Sequence, residues 1–265
     1  MTYLAVQRTS HRALFAASAL VFTASVLATV RWSTSMSAMG GMPMPGGWTM
    51  STVWMRMSGQ SWAGMATTFL AMWMVMMIAM MLPSLLPMLA RYRLAVVGGR
   101  GWRLGWLTAT AGVAYLSVWL LFGAVAFLAG AALNALAMQQ EEVARVVPGA
   151  LGLATIGAGV LQLSAWKARH LQRCRESHVA EVTLPPDAGT AFRHGLRLGL
   201  HCSRSSASLM MVLLMFGVMD LRAMAVVASA ITAERLAPAG VRIALVVGVI
   251  VMAAGLFLML PASSG

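Results

Sequence analysis

Residues 63–90, AGMATTFLAMWMVMMIAMMLPSLLPMLA, carry no ionisable side chain. A run of this length crosses the ~30 Å hydrocarbon core of a bilayer, for which a helix needs about 20 apolar residues. In that medium every backbone N–H and C=O must be satisfied within the segment, so the run is predicted to be an α-helix. It also holds eight methionines, with Pro83 and Pro87 near its end. Any account of the chain has to explain so many thioethers in one membrane helix.

The same composition recurs along the sequence. Sixty per cent of the 265 residues are hydrophobic and 10% are charged, against about 25% charged in soluble domains. The long apolar runs show no period-2 alternation, which predicts an all-α bundle of transmembrane helices embedded in lipid as one integral membrane domain over 1–265. About seven spans are expected, at 13–31, 63–90, 105–130, 148–166, 198–219, 222–236 and 241–260. The first follows Arg8, His11 and Arg12 as a secretory signal would. It is longer than a signal core, though, and no small-residue cleavage site follows, so it is expected to be an uncleaved span. The sixth is the weakest, because its apolar part, 223–233, is short. It reads as a short helix paired with the seventh, or as a re-entrant piece.

A net charge of +12 raises nucleic acid as a partner, but the basic residues sit between the apolar runs, where they set topology instead. Fourteen fall on one side: Arg8, Arg12, the 91–103 and 167–197 connections, Arg235 and Arg242. Four fall on the other: Arg31, Arg56, Arg145 and Arg222. The bias predicts a cytoplasmic N-terminus in a bacterial-type inner membrane, an external loop over 32–62, a cytoplasmic basic loop over 167–197 and an external C-terminus.

The external loop, RWSTSMSAMGGMPMPGGWTMSTVWMRMSGQSW, is rich in Gly, Pro and Ser and reads as irregular. Met36, Met39, Met42 and Met44 recur within nine residues. A thioether is a soft, neutral ligand that selects Cu(I), and it does not form disulfides in an oxidising compartment. The alternative is an apolar loop lying on the membrane. In the 63–90 helix, Met65, Met72, Met76 and Met80 fall on one arc at 100° per residue. Met74, Met77, Met81 and Met88 form a second stripe, roughly opposite. One arc suits a metal route through Met72, Met76 and Met80; packing is the other use of methionine.

The fifth span, GLRLGLHCSRSSASLMMVLLMFGVMD, starts polar, with His201, Cys202 and Arg204, and ends with Met211, Met215 and Met219. Ionisable groups within a membrane helix mark functional positions, which makes His201, Cys202, Met215 and Met219 candidate ligands. His201 and Met219 are ~27 Å apart along a helix, so they belong to successive sites and not to one. The alternative leaves His201–Ser206 in cytoplasmic water. His170, Cys174 and His178 follow at four-residue spacing in the basic loop, without a tight zinc-type pair. Asp220 and Glu234 bracket the sixth segment, where capping and ion pairing are the expected roles. There is no phosphate loop, nucleophile elbow or paired carboxylates, so no enzyme is expected.

Three motifs in order, MWMVMMIAMMLPSLLP (72–87), QLSAWKARHLQRCR (162–175) and GLHCSRSSASLMMVLLMFGVMDLRAM with the later ER pair (199–224 and 234–235), are similar to the domain of unknown function 2182 family. That resemblance covers about 60–240 and implies a metal-binding integral membrane protein. The family pattern continues with two cysteines where this chain has Ser205 and Ser206, and its Met-Asn pair is Met219–Asp220 here. The expected function is therefore binding or translocating a soft ion, Cu(I) above all, through the Met-rich loop and helices, with a membrane or periplasmic protein as partner. The alternative is a non-catalytic scaffold or assembly subunit for a partner complex.

Overall fold

The computed structural model describes residues 2–38, 40–51, 54, 59–96, 101–176, 183–218 and 220–259. Eight helices and one hairpin make up the described chain: α1 (Thr2–Ala38), β1 (Gly41–Met44), β2 (Trp48–Ser51), α2 (Trp62–Ala95), α3 (Gly101–Gln139), α4 (Glu141–Leu163), α5 (Ala165–Glu176), α6 (Ala188–Phe216), α7 (Leu221–Leu236) and α8 (Gly240–Met259). It is an all-α bundle. Among the described residues six helices, α1 to α4, α6 and α8, are long and apolar enough to cross a membrane. The protein is thus multi-pass.

Seven spans are expected from the sequence; α7 is the one that falls short. Its 16 residues rise ~24 Å, below the ~30 Å of a bilayer core. It packs against α2, α6 and α8, with Asp220 capping it through the backbone N–H groups of Arg222 (2.8 Å) and Ala223 (3.1 Å). Capping is the role foreseen for Asp220.

Helix α2 is central. It begins at Ser61, whose hydroxyl accepts from the Gly64 N–H at 3.0 Å, and continues without a break through Pro83 and Pro87. Helices α1, α3 and α7 all pack on it, so it presents apolar side chains around most of its circumference. At the hairpin end an aromatic layer joins α2 to α3. Phe69 stacks on Trp73 (5.9 Å) and meets Phe127 (5.3 Å), while the Trp73 indole donates to the Trp119 carbonyl at 2.9 Å.

Small residues set the other close contacts. A Cβ at Gly195 of α6 would lie 2.1 Å from the Ala111 carbonyl oxygen of α3, so those helices touch backbone to backbone. Helices α4 and α8 run antiparallel, with Gly152 and Gly159 against Gly255 and Gly248. Such small-residue crossings are how membrane helices approach closely where no hydrophobic effect drives them together. Helix α5 folds back across the ends of α6, α7 and α8, burying Lys167 and Leu171.

Candidate functional site

The segment read as an irregular loop contains a hairpin. Residues 42–50 read MPMPGGWTM, in which Met42, Met44, Trp48 and Met50 fall at alternate positions around a Pro45-Gly46-Gly47 turn. Gly46 and Gly47 take positive φ, 97° and 77°, which glycine adopts without steric cost. The turn closes with the Gly47 N–H on the Met44 carbonyl at 3.3 Å.

In the antiparallel register Met42 faces Met50 and Met44 faces Trp48. Directly opposed residues share a face and have Cβ atoms ~5 Å apart. Three thioethers and one indole therefore occupy one side of the hairpin. That side rests on Ala137 of α3 and Ala144 of α4, and the Trp48 indole donates to the Ala144 carbonyl at 2.9 Å. Met50 is 2% exposed and Met42 37%, so the cluster is buried at one edge and open at the other.

Beneath the hairpin lies a cavity of about 1350 Å³. Met36 from the end of α1, Met50 from β2 and Met215 from the end of α6 line it, together with Trp54, Asn134 and Asp220. The Asn134 amide donates to the Trp54 carbonyl at 2.7 Å. The Thr155 hydroxyl points at the Met215 sulfur at 3.6 Å. Met50 belongs to both the hairpin face and the cavity wall, and so connects the two. Met39 and Met219, also expected here, lie outside the described residues.

The methionines of α2 are placed differently. Met72, Met76 and Met80 are buried, and so are Met77, Met81 and Met88. The split into a lining stripe and an opposite stripe does not hold. With neighbours on several sides, both stripes pack inward, and Met74 alone of the eight is only partly buried. None of Met72, Met76 and Met80 lines the cavity; they belong to the main core.

Past Met80 the chemistry changes. Ser84, one turn on, accepts from the Arg235 guanidinium at 3.2 Å. Arg235 also donates to the Cys202 carbonyl (2.9 Å) and to the hydroxyls of Ser205 (3.0 Å) and Ser206 (3.4 Å). Next to it Glu234 pairs with Lys167 at 2.7 Å and accepts from the Gln162 amide. Lys167 also donates to the Ser205 carbonyl, and the Ser208 hydroxyl to the Gln162 side-chain oxygen. The Cys202 thiol is buried and hydrogen-bonded to the Tyr115 hydroxyl at 2.6 Å. His201, half-buried, is the neighbouring residue on α6.

Of the span-five candidates this interior network holds Cys202, with His201 beside it, while Met215 lies in the cavity at the other end, and the network forms no cluster of ligands. Among the described residues there is no group of three or more His, Cys, Asp or Glu able to hold a metal. Ser205 and Ser206 accept hydrogen bonds from Arg235. Sequence reasoning misses Trp48 at the hairpin, where Met50 is a loop methionine outside the candidate ligands, and Lys167, Gln162 and Arg235 inside. The alternation around Pro45-Gly46-Gly47 was the available signal for the first pair. For the second group it was the single lysine of the chain, placed within the QLSAWKARH motif.

Fold and site together define a multi-pass helical membrane protein with thioethers gathered at one end and buried charges inside. A family model described as PpoB2, a copper chaperone, matches residues 70–258. The chain belongs to this copper chaperone family, and the metal-related character implied by its motifs is that of the family. The match begins within α2 and takes in α3 to α8, so the cavity walls from those helices fall inside it and the hairpin precedes it. No curated protein and no solved structure matches the chain.

Proposed function

We propose that this protein holds Cu(I) as cargo at its hairpin end and passes it to a protein partner on that side of the membrane, without catalysing a reaction. The observation that carries the reading is the single hairpin face bearing Met42, Met44 and Met50, continued by Met36 and Met215 in the cavity below. Thioethers are soft and neutral, which suits Cu(I) and discriminates against hard divalent ions. Trp48, opposite Met44, adds an aromatic face that attracts a cation. An open edge at Met42 gives a partner access, as handover requires.

The distribution of Arg and Lys supports an orientation in an inner membrane with this end outside the cytoplasm and the basic connections inside. Membership of a copper chaperone family supports copper over other soft ions. The motifs shared with the domain of unknown function 2182 family are read as kinship with it. A scaffold role keeps one supporting observation, the fully packed methionines of α2, which act as core in either reading.

The test is copper content. Protein purified in detergent is equilibrated with Cu(I) under reducing conditions and desalted, and its metal is counted by elemental analysis. The reading expects retained copper that falls to background in Met42→Leu/Met44→Leu/Met50→Leu. Equal copper in wild type and triple variant contradicts it.

A further inference from the structure

We propose that the outward face of α6 binds the headgroup of an anionic phospholipid through Arg193, Arg197 and Arg204, in the leaflet at the end of the molecule opposite the hairpin. The inference is independent of the copper reading above.

Arg193, Arg197, Leu200, Arg204 and Met211 are all exposed. At 100° per residue they fall within an arc of about 60° on the helix. The buried side of α6 carries Gly195, Gly199 and Cys202 instead, so the stripe faces away from the bundle. Arg193 and Arg197 are one turn apart. Arg204 follows Arg197 two turns on, about 10 Å further along the axis.

Depth separates Arg204 from ordinary basic residues at a membrane edge. Through Arg235, Ser84 of α2 is joined to the Cys202 carbonyl and the Ser205 hydroxyl, which flank Arg204 in the chain. Ser84 lies within the uncharged run 63–90, and the first charge beyond it is Arg91, about 10 Å along the helix. Arg204 is therefore at hydrocarbon depth. Charged side chains there are costly and as a rule face the bundle interior, as Lys167, Glu234 and Arg235 do. Arg204 faces out, and its guanidinium forms no hydrogen bond or ion pair with any described residue.

A lipid phosphate supplies the counter-charge. Side chains on a helix tilt towards its N-terminus, and the N-terminus of α6 is the end away from the hairpin, because Met215 at the other end lines the cavity. The Arg204 side chain thus leans along Leu200 towards Arg197 and the headgroups, as long cationic side chains do in lipid. Guanidinium matches phosphate in charge and in forked hydrogen-bond geometry. Leu200 and Met211, 46% and 36% exposed, continue the stripe as an apolar track for acyl chains. A second copy of this chain has no carboxylate to offer at that depth. Glu141 and Glu142 lie in the first turn of α4, and Asp187 and Asp220 cap α6 and α7. Glu176 ends α5, Glu181 precedes α6, and Glu234 is buried.

The test uses the full chain in mild detergent, incubated with equal amounts of dioleoyl phosphatidylglycerol and dioleoyl phosphatidylcholine. Retained lipids are counted by native mass spectrometry. Wild type is expected to hold the anionic lipid about tenfold over the zwitterionic one. Arg204→Leu, which suits a lipid-facing position, is expected to remove most of that preference, with Arg204→Gln as a second charge-free variant should the first be unstable. Arg204→Lys keeps the charge and most of the preference. Arg242→Gln, at an exposed basic position of α8, leaves it unchanged. Equal retention of the two lipids by wild type overturns the inference. So does a charge-free variant with the wild-type unfolding temperature and undiminished preference, or an equal loss in Arg242→Gln, which would reduce the effect to net charge. A membrane protein that copurifies with wild type but not with Arg204→Leu, while lipid retention is the same in both, overturns it as well and assigns the face to a partner helix.

Discussion

The two ends of the α2 methionine column do opposite things with the same membrane environment. At the hairpin end Met42, Met44 and Met50 share one face of the hairpin, and Met36, Met50 and Met215 line the cavity. Past Met80, Ser84, Arg235, Lys167, Glu234 and Gln162 form a saturated network of hard polar groups. The first end has an open edge at Met42; the polar groups of the second are committed to one another. A site that takes up and gives back an ion needs the former. The latter suits a wall.

The comparison can be broken most forcefully at the network. Replacing Glu234 with Ala breaks its buried pair with Lys167, and breaking a buried pair in this way costs about 3–5 kcal/mol. Thermal unfolding in detergent should show a large drop or loss of folded protein. Lys167→Met with Glu234→Leu, which removes both charges, should recover most of it. A single variant as stable as wild type would show that the pair is not buried as described.

The next largest effect concerns close packing. Gly195→Ala drives a methyl into the Ala111 carbonyl, and overpacking of this kind costs about 1–3 kcal/mol. It should lower the unfolding temperature without changing copper content, because it lies away from the hairpin end. Met76→Leu tests whether the α2 methionines are ligands or core. As a volume-conserving change it should cost less than about 1.5 kcal/mol and leave bound copper unchanged; lost copper would make Met76 a ligand. Smallest of all, Ser61→Ala removes the cap of α2 at the hairpin end, for about 1 kcal/mol, and should fray the first turn in hydrogen exchange.

The bundle itself was legible, because an uncharged run such as 63–90 has one stable form in lipid. The hairpin was not. A Gly- and Pro-rich composition reads as irregular until the alternation of Met42, Met44, Trp48 and Met50 is weighed with the turn between them. Helical spacing split the α2 methionines into two stripes, but how many faces of a helix are buried depends on how many neighbours surround it, and α2 has neighbours on several sides. Lys167 and Arg235 were counted as topology signals, like the other basic residues. Their burial arises because α5 folds back and α7 ends inside the bundle, and neither is written in local sequence. Cys202 drew attention as a thiol; its place beside Tyr115 comes from the α3–α6 contact around Gly195 and Gly199.

Cu(I) held by thioethers at the hairpin end has a direct spectroscopic signature. X-ray absorption at the copper edge, on the intact protein loaded with Cu(I), should show a first shell dominated by sulfur. That signal should vanish in Met42→Leu/Met44→Leu/Met50→Leu and persist in Cys202→Ser. A shell of nitrogen and oxygen, or a sulfur shell lost with Cys202 and kept in the triple variant, would contradict the account.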